Sequence, residues 1–370
     1  RTPTRSDIII VILLALIVFL AKAAFIASSD LKRLAVTPYV IDDSFIFMQV
    51  ASNLGHGHGY SFDGVHTTCG APLFWTLLTS VNHRFMGEIA AAKVTLAQSA
   101  AFASLASILV FLIAMHLFGR RAAYLAFFLS LFSLPLFFQS MNGMDTFPFA
   151  FFILGAVWWR LRIKETWADW AILGILLGLA NLTRPEGVIF AFLVFLWELW
   201  LHRKQHLGKV VLGIATAALL TCIVLGWNYH ASGSIFASNQ QGRMLLAHEY
   251  YGNPHGILTY TSISLRHVII LSRLYDATVG SLVLAIAALI WAFVCRRQVI
   301  SLTPYFVAAG LMYLLLTFYQ WYFPDAHGLR YIVPPCLFLA ILMGGFLDFR
   351  AAALDNSISA KWFGTAASIV

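Results

Sequence analysis

Apolar runs long enough to cross a lipid bilayer recur along the whole chain. A spanning helix needs roughly 20 apolar residues, and an α-helix satisfies its own backbone hydrogen bonds where no water is present. The pattern therefore predicts an all-α, polytopic transmembrane helical bundle of about ten spans. The predicted spans cover residues 8–27, 89–118, 122–138, 147–160, 167–182, 188–201, 210–227, 279–294, 304–323 and 331–347.

The composition excludes a soluble domain and a nucleic-acid-binding protein. Hydrophobic residues make up 60% of the chain and charged residues only 11%, which is too few for the surface of a soluble domain. The formal charge of +8 comes from basic residues in short clusters between apolar runs. Such clusters mark cytoplasmic loops, so we expect a cytoplasmic N-terminus and no nucleic-acid partner. The clusters are Arg120-Arg121, Arg160 with Arg162 and Lys164, Arg203-Lys204 and Arg296-Arg297.

Two long segments, 28–88 and 228–278, are then expected on the extracytoplasmic face. Together with the short turns on that face they carry most of the acidic residues. Long loops with mixed charge and aromatic residues indicate where function resides. We expect residues 1–350 to form one transmembrane domain and residues 351–370 to be a tail or the start of a further span.

The first long loop is expected to contain two short helices at the membrane interface. The apolar spacing after Asp43 favours a helix that Gly55 and Gly57 end. A second helix is expected from Leu73 to Phe85, directly after Pro72.

Adjacent carboxylates, Asp42 and Asp43, begin the first of these helices. One interpretation is structural, because a carboxylate at a helix N-terminus caps the helix and contributes about 1 kcal/mol. The other interpretation makes one carboxylate a general base that deprotonates an acceptor hydroxyl as it attacks an anomeric carbon. The two interpretations are compatible, because capping also fixes the direction of the carboxylate.

Other polar residues on the same face are candidates for substrate binding. Arg184 and Glu186 form either a self-contained ion pair or a site for a phosphate or sugar oxygen. Arg330, near His327, and Arg243 are candidates for holding a phosphate, because a guanidinium binds phosphate oxygens in a fork.

Three histidines of the first loop suggest further roles. His66 is a candidate donor to a substrate hydroxyl. His56 and His58 lack companion ligands at metal-binding spacing. We therefore expect no metal ligands and no required cofactor, with a divalent cation as the less favoured alternative.

Ordered motifs along the chain carry a family resemblance. They are Asp42-Asp43-Ser44-Phe45-Ile46, Gly57-His58-Gly59-Tyr60-Ser61-Phe62, Gly70-Ala71-Pro72-Leu73-Phe74-Trp75, Asn142-Gly143-Met144-Asp145-Thr146, Thr183-Arg184-Pro185-Glu186-Gly187 and Gly233-Ser234. Their order resembles that of the GT-C glycosyltransferases, and within them it is most similar to the mycobacterial arabinofuranosyltransferase group and its bacterial relatives. Asp145 stands where that group usually has a glutamate.

The resemblance implies a specific reaction and place. It implies a polyprenyl-phosphate-linked sugar donor, a glycan or lipid acceptor, and inverting transfer with Asp42 or Asp43 as base. Asp42 is favoured over Asp43 because it leads the motif. It adds Asp145 to the candidate substrate-binding residues. It also implies an integral protein of the bacterial plasma membrane whose active site is extracytoplasmic.

Two other functions remain open from the sequence. A transporter or flippase of a lipid-linked sugar would carry ionisable residues midway along several spans, whereas these spans are nearly uncharged. Lys22 is the main exception, and we expect it to extend outward from the membrane. A non-catalytic subunit that presents a lipid-linked donor is the third interpretation.

Overall fold

The structure is a computed structural model that describes residues 2–35, 42–202, 206–238, 290–291, 297–319 and 333–351. Its regular elements in these ranges are helices, beside one isolated antiparallel bridge between Ser61 and Thr67. The prediction of an all-α bundle is therefore confirmed. The helices are α1 (Arg5–Ser28), α2 (Leu31–Ala35), α3 (Asp42–Gly55), α4 (Leu73–Phe85), α5 (Glu88–Leu117), α6 (Arg120–Phe132), α7 (Leu134–Gln139), α8 (Thr146–Arg160), α9 (Trp167–Thr183), α10 (Gly187–His202), α11 (Leu207–Ser232), a 3₁₀ helix (Arg297–Leu302), α12 (Thr303–Tyr319) and α13 (Val333–Ala351).

Four of the described helices, α1, α5, α11 and α13, are long and apolar enough to cross a membrane. Three shorter apolar helices, α8, α9 and α10, pack among them. Most of the predicted span 279–294, most of the second long loop and residues 352–370 lie outside the described residues.

The predicted span 122–138 is not one continuous helix. α6 ends at Phe132, Ser133 is extended with φ −60° and ψ 124°, and α7 begins at Leu134. Pro135 lies in the first turn of α7, where its missing N–H removes no helical hydrogen bond. The prediction of an unbroken span was wrong because the apolar run conceals this break.

A capping box fixes the start of α1. The Asp7 N–H donates to Thr4 Oγ1, and the Thr4 N–H donates back to Asp7 Oδ2, each at 3.2 Å. Asp7 also accepts from Arg120 Nε at 2.7 Å. This contact brings the beginnings of α1 and α6 to the same end of the bundle.

Helices α9 and α11 run parallel in very close contact. A Cβ added to Gly174 would lie 2.3 Å from the carbonyl oxygen of Gly213, so only glycine permits this approach. About two turns further along, Asn181 Nδ2 donates to Thr221 Oγ1 at 3.0 Å. The pairing places the ends of α9 and α11 side by side, and both ends contribute to the cavity described below.

Candidate active site

A cavity of about 450 Å³ lies where the first loop meets the ends of the helices. Its wall combines α3, the segment 68–73, the turn before α8, the α9–α10 turn and the end of α11. Four charged residues line it, namely Asp43, Asp145, Arg184 and Glu186. All four are candidate residues of the sequence analysis, and they come from three separate parts of the chain.

The first of these, Asp43, lies in the opening turn of α3. Its side chain is half-buried and lines the cavity. The backbone of Asp42 begins the same helix, whereas its side chain is outside the described part of the structure. The next residue, Ser44, is fully buried and donates its hydroxyl to the carbonyl oxygen of Asn142.

Asp145 follows a tight turn that favours glycine. Gly143 has φ +72°, and a Cβ there would lie 2.8 Å from the Met48 side chain. The Asn142 side chain closes the turn by accepting from the Met144 N–H at 2.9 Å. Asp145 comes directly before the first residue of α8 and lines the cavity, where it is 4% exposed.

Arg184 lies between two carboxylates in the turn after α9. Its Nε is 3.7 Å from Asp145 Oδ2 and 3.5 Å from Glu186 Oε2. These contacts are longer than the roughly 2.7–2.9 Å of a tight charge-assisted hydrogen bond. The guanidinium also lies 5.9 Å from the centre of the Phe149 ring. Arg184 is therefore ion-paired and also lines the cavity, and its binding of a phosphate or sugar oxygen stays a prediction.

Among the cavity residues of α9 and α11 without a candidate role in the sequence analysis are Asn181, Trp227 and Asn228. The buried Nε1 of Trp227 has no hydrogen-bond acceptor within the described residues. Its ring packs edge-on against Tyr60, with 5.0 Å between ring centres. In the sequence, each of the three is a polar or amphipathic residue at the end of an apolar run, next to charged or aromatic neighbours. That position is the signal that could have identified them as cavity residues.

Tyr60 supports this wall from the first loop. Its hydroxyl donates to the carbonyl oxygen of Ala71 at 3.0 Å. Burial raises the pKa of Tyr60 above its ordinary value, so the phenol remains neutral at physiological pH. Tyr60 therefore braces the loop and the Trp227 ring without adding charge to the cavity.

His66 does not line the cavity. It is exposed, and its Nδ1 lies 2.6 Å from Asp63 Oδ2. This hydrogen bond holds the pKa of Asp63 below its usual range. The other candidates, Arg243, His327 and Arg330, lie outside the described residues, so their roles stay predictions.

No group of three His, Cys, Asp or Glu side chains with metal-binding geometry occurs in the described ranges. His56 and His58 stack with 6.5 Å between ring centres. His56 Nδ1 is directed at the Ser52 carbonyl oxygen, 2.9 Å away, so this nitrogen acts in a local contact.

Lys22 does not extend outward as predicted. It is 4% exposed and donates from Nζ to Ser140 Oγ at 2.8 Å. The ammonium also lies 4.7 Å from the centre of the Phe137 ring. The Lys22 side chain therefore contacts α7 and the turn that leads to Asp145.

Comparisons with known proteins agree with this architecture. Residues 71–227 match the family model described as dolichyl-phosphate-mannose-protein mannosyltransferase. No curated protein matches the sequence. Among solved structures, ArnT from Cupriavidus metallidurans bound to undecaprenyl phosphate is 17% identical with a TM-score of 0.60. That match covers 94% of this chain and 61% of ArnT.

An archaeal enzyme shares the same architecture. The Archaeoglobus fulgidus oligosaccharyltransferase in its apo form is 16% identical with a TM-score of 0.57, over 93% of this chain and 52% of that one. AglB from the same organism, in complex with an inhibitory peptide and a dolichol-phosphate, is 13% identical with a TM-score of 0.53, over 94% and 52%.

The chain has the GT-C fold. It is an integral membrane protein, and it spans about 61% of ArnT and 52% of the oligosaccharyltransferase. The similarity to the arabinofuranosyltransferase group stays a prediction.

Proposed function

We propose that the protein is a membrane glycosyltransferase that moves a sugar from a polyprenyl-phosphate donor to a glycan or lipid acceptor of the cell envelope. The observation that carries the proposal is the meeting of Asp43, Asp145 and Arg184 at one cavity. A volume of about 450 Å³ is within the range of small-ligand sites. ArnT and AglB, which share the fold, are described with undecaprenyl phosphate and dolichol-phosphate.

In the proposed reaction Asp43 is the general base, and Asp42 is the alternative. The carboxylate takes the proton of an acceptor hydroxyl while the hydroxyl oxygen attacks the anomeric carbon of the donor sugar. The bond from that carbon to the phosphate oxygen breaks on the opposite face, so the configuration inverts. The polyprenyl phosphate leaves with the bonding electrons, and its charge needs fixed cations.

Arg184 is the described cation at the cavity, and Arg243 and Arg330 are further candidates for the same task. Asp145 and Glu186 hold the Arg184 guanidinium from two sides. Their carboxylates also provide acceptors for sugar hydroxyls. His327 remains a candidate donor to the substrate, whereas His66, which is exposed and does not line the cavity, is expected to contribute little. No cofactor is needed in this scheme.

The basic clusters place the N-terminus in the cytoplasm and the cavity on the extracytoplasmic face in this proposal. A membrane-impermeant thiol reagent applied to intact cells tests it. In an Asp30→Cys variant, the new thiol in the first loop should react with the reagent. Protection of that cysteine until the cells are permeabilised would reverse the orientation.

The test of the reaction uses purified protein in lipid nanodiscs and a panel of undecaprenyl-phosphate-linked sugars. We expect release of undecaprenyl phosphate from one donor class when envelope glycolipids are added. Asp43→Asn should abolish that release, whereas Asp30→Asn should not. Asp30 is a matched control because it is an exposed carboxylate of the same loop that does not line the cavity. Full release by Asp43→Asn would exclude Asp43 as the base.

A further inference from the structure

Two of the three cavity carboxylates, Asp43 and Asp145, belong to segments about one hundred residues apart, so their relative position depends on tertiary contacts. Asp43 lies on α3, and Asp145 follows the turn at 140–145. A base and a second carboxylate that act on one substrate must keep a fixed separation, because a misplacement of about 1 Å costs roughly 100-fold in rate. The contacts between the two segments therefore bear directly on the proposed reaction.

The first contact starts at the residue next to Asp43. Ser44 Oγ donates to the carbonyl oxygen of Asn142 at 2.5 Å. Both residues are fully buried. The hydrogen bond thus connects the residue after one carboxylate to the turn that precedes the other.

The second contact comes from α4. Trp75 Nε1 donates to the carbonyl oxygen of Gly143 at 2.8 Å. Trp75 is fully buried, and its ring packs edge-on against Phe102 of α5. Two successive carbonyl oxygens of the turn therefore accept hydrogen bonds from two different helices of the first loop.

The turn itself has little freedom to adjust if either donor is lost. Gly143 already occupies the left-handed region, and the side chains of Met48 and Leu96 lie against the position where a Cβ would stand. The Asn142 amide bonds within the turn, to the Met144 N–H and to Gln139 Oε1. A displacement of the turn would carry Asp145 with it.

We propose that Ser44 and Trp75 are positioning residues that hold the Asp145 turn against the helix carrying Asp43, so that both carboxylates stay at one cavity during transfer. This inference rests on the proposed function for its effect on the rate. The pair of hydrogen bonds, Ser44 to Asn142 and Trp75 to Gly143, is called the turn latch below. Neither residue lines the cavity, so each acts through the carboxylates.

The experiment compares Ser44→Ala and Trp75→Phe with two matched controls. Ser107→Ala removes an equally buried hydroxyl that bonds only within α5, to the carbonyl oxygen of Ala103. Trp170→Phe removes a buried indole N–H that bonds Glu165 near the start of α9. Ser44→Thr keeps the hydroxyl and serves as the rescue variant.

The first readout is amide hydrogen exchange of peptides covering 140–149, which needs no substrate. Both latch variants should speed exchange in this segment by about tenfold or more, because opening becomes easier when a buried bond is lost. The two controls should leave it unchanged. Unchanged exchange in both latch variants overturns the proposal.

The second readout is undecaprenyl phosphate release from the donor found for the wild-type protein. The latch variants should lower kcat by roughly 10-fold to 100-fold while KM stays within about threefold, since ligand contacts remain. Ser44→Thr should restore kcat to within about threefold. Faster exchange with an unchanged kcat overturns a positioning role. If the wild-type protein releases no undecaprenyl phosphate from any donor, the proposed function fails, and exchange alone decides whether the latch exists.

Discussion

The hairpin of α8 and α9 has a buried arginine ion pair near each end, and the two pairs differ in geometry. Near the end of α8, Arg160 contacts Glu198 of α10 through two nitrogens, at 2.5 and 3.0 Å. Glu198 is fully buried, and neither residue lines the cavity. At the other end, Arg184 lies 3.5–3.7 Å from Glu186 and Asp145, and all three line the cavity.

The difference separates a structural charge pair from a candidate for chemistry. The contact between Arg160 and Glu198 is short and bidentate, because two nitrogens of the guanidinium bind the two oxygens of one carboxylate. The longer contacts of Arg184 are shared between two carboxylates beside an open volume. We therefore expect substitutions near Arg160 to change stability and substitutions near Arg184 to change turnover.

The largest expected effect is on turnover at the cavity end. Asp43→Asn should lower undecaprenyl phosphate release by about 100-fold to 10,000-fold, the usual loss for a general base. Asp145→Asn should lower it as well, because Asp145 holds Arg184 at the cavity. The amide keeps the size of the side chain, so the melting temperature should stay close to that of the wild-type protein. Steady-state kinetics and thermal unfolding of the same preparation measure both quantities. Normal turnover in both variants would remove the cavity from the mechanism.

A large effect on stability is expected at the other end. Glu198→Gln removes the buried counter-ion of the Arg160 guanidinium, whose side chain is 15% exposed, and the free energy of unfolding should fall by about 3 kcal/mol. Glu186→Gln is the matched variant at the cavity end, and its loss should be about 1 kcal/mol or less because Asp145 remains beside Arg184. Thermal unfolding in detergent compares them. Equal losses of unfolding free energy in the two variants would mean that both ion pairs contribute alike to stability.

A smaller effect follows from replacing each arginine by lysine. Arg184→Lys should lower turnover by roughly tenfold. The compact lysine ammonium lacks the planar guanidinium, which can contact two carboxylates and a phosphate at once. Arg160→Lys should lower the melting temperature while turnover per folded molecule is retained. A fully active Arg184→Lys variant would contradict the expected difference between Arg184, which affects turnover, and Arg160, which affects stability.

The smallest effect is expected in the exposed part of the first loop. His66→Ala should change turnover by no more than about twofold, because His66 does not line the cavity. Its contact with Asp63 is exposed, and exposed ion pairs contribute little to stability. The measurement is the same release assay. A loss of tenfold or more would restore His66 as a substrate-binding residue.

Much of the fold follows from the apolar pattern. The described spans agree with the predicted ones except at the break between α6 and α7, and α4 has the predicted bounds, Leu73–Phe85. The break was missed because apolar residues continue on both sides of Ser133. Pro135 was the available signal, since proline favours the first turn of a new helix.

The site was predictable only as separate motifs. The order of the motifs indicated Asp43, Asp145, Arg184 and Glu186, but nothing in their spacing shows that they share a cavity. That depends on how the turn latch and the α9–α11 contact assemble the segments. Trp227 was missed for the same reason, because its contact with Tyr60 joins segments that are far apart in the sequence.

The central claim is that a polyprenyl phosphate binds at the cavity end of the α8–α9 hairpin. A photoreactive undecaprenyl phosphate with a diazirine beside the phosphate, activated on the purified protein, tests this directly. The account predicts labelled peptides that contain the cavity wall, around Asp43, Asp145 and Arg184, with protection by unlabelled undecaprenyl phosphate. Protectable labelling confined to peptides around Arg160 and Glu198 would contradict it.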